Sequence, residues 1–206
     1  MRTEELLEIL SEAQALGYLG PGDPASHLTH SLGFAETVGR YAPAPGTFAD
    51  LGTGGGVPGL VLAEYWPQAR ATLIESSARR VHSLTMWVDS LSLGHRVRVL
   101  EARAEDCGRD RELRESFDLV TARSFGRPAV TAEVAAGLVR VGGHLVVSEP
   151  PDPADRWPDA GVTGLGFDHA QAGEASGAHY ACLRKRRAAD PGVPRLAGKL
   201  RKRPRW

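Results

Sequence analysis

Cysteine is scarce in this chain. The 206 residues contain Cys107 and Cys182, neither with a neighbour at metal-ligand spacing, so no zinc or other metal site is readable. Two thiols suit a reducing cytoplasm, the expected location. Long apolar runs are missing too. The start, Met1-Arg2-Thr3-Glu4-Glu5, is acidic and amphipathic rather than a signal peptide. No window is apolar enough to cross a bilayer, so no membrane partner is expected. Net charge is also absent, but only by cancellation. Residues 1–183 carry 15 basic and 24 acidic side chains, whereas 184–206 carry ten basic and one acidic, Asp190. Such asymmetry points to a tail that touches a polyanion, against the plainer reading of a solvated C-terminus.

What is present is ordinary globular material: 42% hydrophobic and 24% charged residues, enough for one domain with a real core. Leu6, Leu7, Leu10, Ala13 and Leu16 recur at helical spacing, so 4–16 reads as a helix capped by Thr3 and stopped by Gly17. A second helix is expected over 26–40. From position 47 strands alternate with helices: strands over 47–51, 71–74, 97–100, 117–121 and 144–148, and helices over 59–65, 78–91 and 129–139. Two further strands, 162–167 and 179–184, have no helix between them and should form an antiparallel hairpin. Alternation of this kind means βαβ units. The expected fold is α/β, doubly wound, with a mostly parallel seven-stranded Rossmann-like sheet and an antiparallel edge hairpin, the class I methyltransferase architecture. The chain divides into N-terminal helices (1–42), a main domain (43–187) and a basic tail (188–206).

The sharpest motif is Asp50-Leu51-Gly52-Thr53-Gly54-Gly55-Gly56-Val57-Pro58-Gly59, placed after a strand and before a helix. Glycines let a ligand approach the backbone closely. Gly54-x-Gly56-x-x-Gly59 fits a dinucleotide site, where a pyrophosphate would meet helix N–H groups. Asp50-x-Gly52-x-Gly54-x-Gly56 fits an S-adenosylmethionine site. That cofactor's methionine end is cationic, and the Asp50 carboxylate favours it. Glu75 ends the second strand about twenty residues on, where an acid can accept from both ribose hydroxyls of either cofactor. Ala104 and Glu105 follow the third strand, where a backbone N–H and a carboxylate could read adenine. Arg123 follows the fourth, at the rim of the site. No Ser/His/Asp or Cys/His constellation appears. His27 and His30 share one helix face and read as surface residues more readily than as substrate contacts.

Together the glycine run, Glu75, Arg79-Arg80-Val81, Ala102-Arg103-Ala104-Glu105, Ala122-Arg123-Ser124-Phe125 and the closing Pro194-Arg195-Leu196-Ala197-Gly198-Lys199 resemble one family. It is the bacterial 16S rRNA guanine-N7 methyltransferase G family, formerly the glucose-inhibited division protein B family. The resemblance implies S-adenosyl-L-methionine as cofactor, held by Gly52, Val57, Ala104, Glu105 and Arg123, with Asp50, Gly54 and Glu75 added from the residues themselves. It implies 7-methylguanosine in 16S rRNA of the small ribosomal subunit; separately, the chain is expected to be a monomer. No residue is strictly catalytic, and Arg123 orients. Arg184, Lys185, Arg186, Arg187, Lys199, Arg201, Lys202 and Arg203 would grip the RNA. The alternatives on the same fold are a small-molecule methyltransferase and a non-catalytic RNA-binding paralogue. Two departures from the family stand out. The Asn-Leu-Thr motif of the family's longer N-terminal part finds no match in these residues, and His30 stands where an aspartate is expected.

Overall fold

A computed structural model describes residues 1–151 and 156–206. Seven strands form one sheet: β1 (Thr47–Leu51), β2 (Arg70–Glu75), β3 (Val97–Glu101), β4 (Phe117–Ala122), β5 (Val139–Glu149), β6 (Gln171–Ala175) and β7 (Ala178–Arg184). Their order is β3-β2-β1-β4-β5-β7-β6. The first five are parallel, and β7 pairs antiparallel with both β5 and β6. Strand order reverses between β1 and β4, so a crevice opens beyond their carboxyl ends.

Alternate strand residues feed two cores. Phe48, Leu73, Leu119, Val146 and Tyr180 pack against α1 (Thr3–Ala15), α2 (Pro24–Tyr41), α3 (Gly59–Tyr65) and α4 (Ala78–Ser90). Ala49, Leu51, Val120, Leu145 and Leu183 pack on the other face. Their partners there include α6 (Pro128–Leu138) and residues of three short helices, α5 (Ala104–Cys107), α7 (Asp159–Gly164) and α8 (Ala197–Lys202). This is the expected doubly wound sheet, buried on both faces.

Several local expectations change. Thr3 does not cap α1: Arg2 takes that place without a side-chain cap, and its guanidinium instead pairs with Glu64 at 2.7 Å. Helix α2 starts earlier, at Pro24, because Asp23 accepts the Ala25 N–H at 2.9 Å and proline suits the first helical position. Residues 162–167 are not a strand. Val162 and Leu165 face the core at helical spacing around α7, and Phe167 makes only an isolated bridge to Lys185. The edge strand is β6, whose Gln-Ala-Gly-Glu-Ala sequence has almost no apolar signature, since only Ala175 is buried.

The C-terminal stretch folds back on the second core. Glu133, fully buried on α6, accepts from the Arg195 N–H and guanidinium and from Arg205 Nε at 2.6 to 3.0 Å. Leu200 of α8 is buried, and Trp206 Nε1 donates to the Arg156 carbonyl at 3.0 Å. Lys185 is a correction to the RNA-contact set. It has no exposed surface, and its Nζ donates to Glu115, Ala136 O and Val139 O. Burial draws its pKa down, so it is a structural cation, closed to phosphate.

Removing the partner of a buried ion pair leaves charges uncompensated. Glu133→Ala is therefore expected to lower unfolding stability by about 3 kcal/mol, read from urea titrations, and to release the C-terminal stretch to protease.

Candidate functional site

The glycine loop leaves β1 and turns through three left-handed positions, Gly52 (φ 62°), Gly54 (φ 56°) and Gly56 (φ 88°). Two carboxylates hold it from below. Asp50 is fully buried. Its Oδ2 accepts the Gly59 N–H at 3.0 Å, at the start of α3, and its Oδ1 accepts the Thr121 hydroxyl at 2.8 Å, from β4. Burial pushes its carboxyl up to about 6, against these hydrogen bonds and the more distant Arg123. Glu75, also buried, accepts the Gly54 N–H at 3.1 Å and the Ser76 and Ser77 N–H groups at 2.8 and 2.9 Å, with Arg80 at 3.8 Å. Both acids thus shape the loop through its own backbone.

Above the loop lies a cleft of about 290 Å³. Gly52, Gly54 and Val57 line one side, Arg80 and Arg123 contribute cations, and Tyr18, Leu19 and Gly20 close it from the α1–α2 connection. That connection is fastened by Arg79, which donates to the Leu16 carbonyl and the Tyr18 hydroxyl, each at 2.9 Å. The Arg80 guanidinium lies 5.6 Å from the centre of the Tyr18 ring. Arg123 is half-buried. Its Nη2 donates to His27 Nδ1 at 2.8 Å, which leaves His27 Nε2 protonated toward the Gly20 carbonyl at 3.2 Å. Its Nη1 is buried without a partner.

His30 packs between Phe34 and Tyr180, with ring centres 5.9 and 5.5 Å away. Burial, then Arg123 and His27, pushes its pKa down to about 4, so it sits neutral among aromatics. The Tyr180 hydroxyl donates to the His30 carbonyl at 2.6 Å, anchoring α2 to β7. His27 is the contrast: it is tied to Arg123, and the spacing of the two histidines on one helix face was the available signal.

The remaining expected residues lie to one side. Ala104 is buried in the first turn of α5, and Glu105 lines a second cleft of about 390 Å³ with Phe125, Arg127 and Leu200. Phe125 packs against Gly52, where a Cβ would stand 3.0 Å from its ring. So Gly52, Gly54, Val57 and Arg123 face one cleft, Glu105 the other, and Asp50 and Glu75 lie beneath the loop. Tyr18, Leu19 and Gly20 were not foreseen, because a chain-distant connection delivers them, while Arg80 entered only with the Arg79-Arg80-Val81 motif and His27 was read as a surface residue more readily than as a site one. Among the described residues no cluster of acids, histidines or cysteines could hold a metal ion, and no helix is long and apolar enough to cross a membrane.

A family model for rRNA small subunit methyltransferase G matches residues 24–156. The chain belongs to this family. Among curated members, ribosomal RNA small subunit methyltransferase G of Rubrobacter xylanophilus is 31% identical over 98% of this chain and 82% of its own length. The Leuconostoc citreum protein of the same name is 39% identical over 59% of this chain, a match spanning 50% of that relative. Solved structures share the fold at low identity. Cofactor-bound Rv0187 from MTB superposes with a TM-score of 0.62 at 19% identity, covering 89% of this chain and 90% of its own. The SAH-bound Podospora anserina methyltransferase PaMTH1 gives 0.60 at 14%, covering 89% and 88%.

Asp50 supplies a pH test. Its folded pKa lies above the ordinary carboxylate value, so its charge opposes folding above about pH 6, and that opposition fades as pH falls toward 4. Asp50→Asn keeps an acceptor for Gly59 and lacks the titration. Unfolding free energies measured from pH 7 to pH 4 should show the unsubstituted protein gaining on the variant as pH falls.

Proposed function

We propose that this protein is an S-adenosylmethionine-dependent methyltransferase that forms 7-methylguanosine in 16S rRNA of the small ribosomal subunit. One observation carries the reading: a glycine loop, pinned by Asp50 and Glu75, opens on a cleft whose Arg123 keeps a buried, unpaired Nη1. A buried guanidinium N–H without an acceptor fits a ligand that brings one. Gly52, Gly54 and Val57 would lie along the cofactor, with Arg123 beside them and Ala104 and Glu105 toward adenine. Glu75 would share its carboxylate between the loop and the ribose, while Asp50 acts through the loop. S-adenosylmethionine supplies a methyl group already activated on a sulfonium.

Guanine N7 carries a lone pair and no proton, so no general base is required. The protein's task is alignment and exclusion of water. The half-buried Arg123, oriented by His27, suits the guanine O6 or the cofactor, and the wall of Tyr18 and Leu19 narrows solvent access. In A-form RNA the N7 edge faces a deep, narrow groove, so the target guanine must be unpaired or flipped out.

Phosphates around it would meet the outer basic residues. Arg184, Lys199, Lys202 and Arg203 are exposed and, among the described residues, in no ion pair. Arg186 and Arg187 are exposed but paired with Asp168 and Asp190. The side chain of Arg201 lies outside the described residues. Such contacts weaken with salt. Lys199→Ala and Lys202→Ala should each reduce the slope of log affinity for 16S rRNA against log salt by about 1, while Lys185→Met leaves it unchanged.

The reaction is tested with labelled S-adenosylmethionine and small subunits from a strain lacking the protein. The expected outcome is one 7-methylguanosine in 16S rRNA, with Arg123→Ala slower by about tenfold to a hundredfold, the worth of a charged hydrogen bond. Label confined to a small molecule, or no label at all, would overturn the reading.

A further inference from the structure

We infer that Glu149, at the carboxyl end of β5, reads the Watson–Crick edge of the target guanine in a pocket beside the cofactor cleft. This rests on the proposed function. The pocket lies beyond the ends of β4 and β5, between Ser124 and Phe125 on one side, Ser148 and Glu149 below, and Arg156 and Trp157 opposite. Ser124 also lines the cofactor cleft, so the two openings adjoin at that residue. That residue holds a left-handed φ of 53°, a strained backbone of the kind kept at functional sites.

Glu149 is an unusual residue for this place. Its side chain is 2% exposed, and burying a carboxylate is costly unless every oxygen is well paired. The pairing is incomplete. Trp157 Nε1 donates to Oε1 at 3.1 Å. Arg156 Nε forms an ion pair with Oε2 at 2.7 Å but is not aligned to donate, so charge is balanced there while both buried atoms lack a hydrogen bond. Burial raises the carboxyl's pKa, and the contacts with Arg156 and Trp157 offset only part of that rise.

The two oxygens therefore face two N–H donors from adjacent side chains, one well placed and one not. Guanine carries the same pair in fixed geometry, N1–H and N2–H side by side. Adenine, cytosine and uracil each interrupt their edge with an acceptor that a carboxylate would repel. A purine held by N1 and N2 presents its opposite edge outward, so N7 would point back past Ser124 toward the cofactor cleft, with O6 on the side of Arg123. The pocket now holds about 20 Å³, room for one water, so the base must displace the Trp157 indole and the Arg156 guanidinium. The indole then becomes a wall for the flipped base to stack on.

The test compares methyl transfer to small subunits rebuilt with 16S rRNA carrying either guanosine or inosine at the methylated position. Inosine keeps N7, O6 and N1–H and lacks only the 2-amino group. The unsubstituted protein is expected to prefer guanosine by about tenfold or more in kcat/KM, the usual value of such paired base contacts. Glu149→Gln, which keeps the shape, should bring that preference to within about threefold of unity and slow the guanosine reaction, with S-adenosylhomocysteine affinity by calorimetry unchanged. Equal use of both substrates by the unsubstituted protein overturns the inference without any variant. So does a preference retained in Glu149→Gln, which would leave Glu149 as a support for residues 156–157. Transfer to neither RNA by a protein that binds S-adenosylhomocysteine would instead remove the proposed function on which the inference rests.

Discussion

Beneath the glycine loop one carboxylate joins three elements. Asp50, the last residue but one of β1, accepts from the first residue of α3 and from Thr121 on β4. A fully buried charge in that position is expensive, and burial draws its pKa up in spite of the hydrogen bonds it accepts. The return is geometric. The loop must leave the sheet, pass three left-handed glycines and enter a helix, and Asp50 fixes both ends of that path. Glu75 then fixes its middle through Gly54. The floor of the cleft and the seat of Phe125 against Gly52 are built on the loop so held.

Much of this was legible in the chain. Strands β1 to β5 follow one another with short apolar runs, and helices fill the gaps, so the parallel half of the sheet is written locally. The glycine spacing, Glu75 and Arg123 each lie at a strand's carboxyl end, where position along the chain implies position in the crevice. Residues 162–167 misled because Val162, Leu165 and Phe167 are apolar enough for a strand, and period alone does not separate a short buried helix from one. The other wall of the cleft was hidden for a different reason. Tyr18 and Leu19 reach it only through the tertiary packing of α1 and α2, which has no local pattern in the sequence.

The basic end of the chain shows the limits of counting charge. Ten cations in 23 residues suggested a uniform tail. In the fold they do different work: Lys185 anchors the α6–β5 junction, Arg195 and Arg205 grip Glu133, and the outward set is smaller. Two residues of identical formal charge, Lys185 and Lys199, differ in whether water reaches them.

The poor apolar signature of β6 has a consequence outside the monomer. The strand lies at the sheet's end, with backbone groups on its outer side that another chain could pair with. A sequence rich in valine or isoleucine there would be easier to recognise and far stickier. Instead the strand is short, exposed at four of five positions to some degree, and partly covered by Arg40 of α2, which donates to the Glu174 carbonyl. The same feature that conceals this strand from a reader of the sequence keeps it from recruiting strands of neighbouring molecules in a crowded cell.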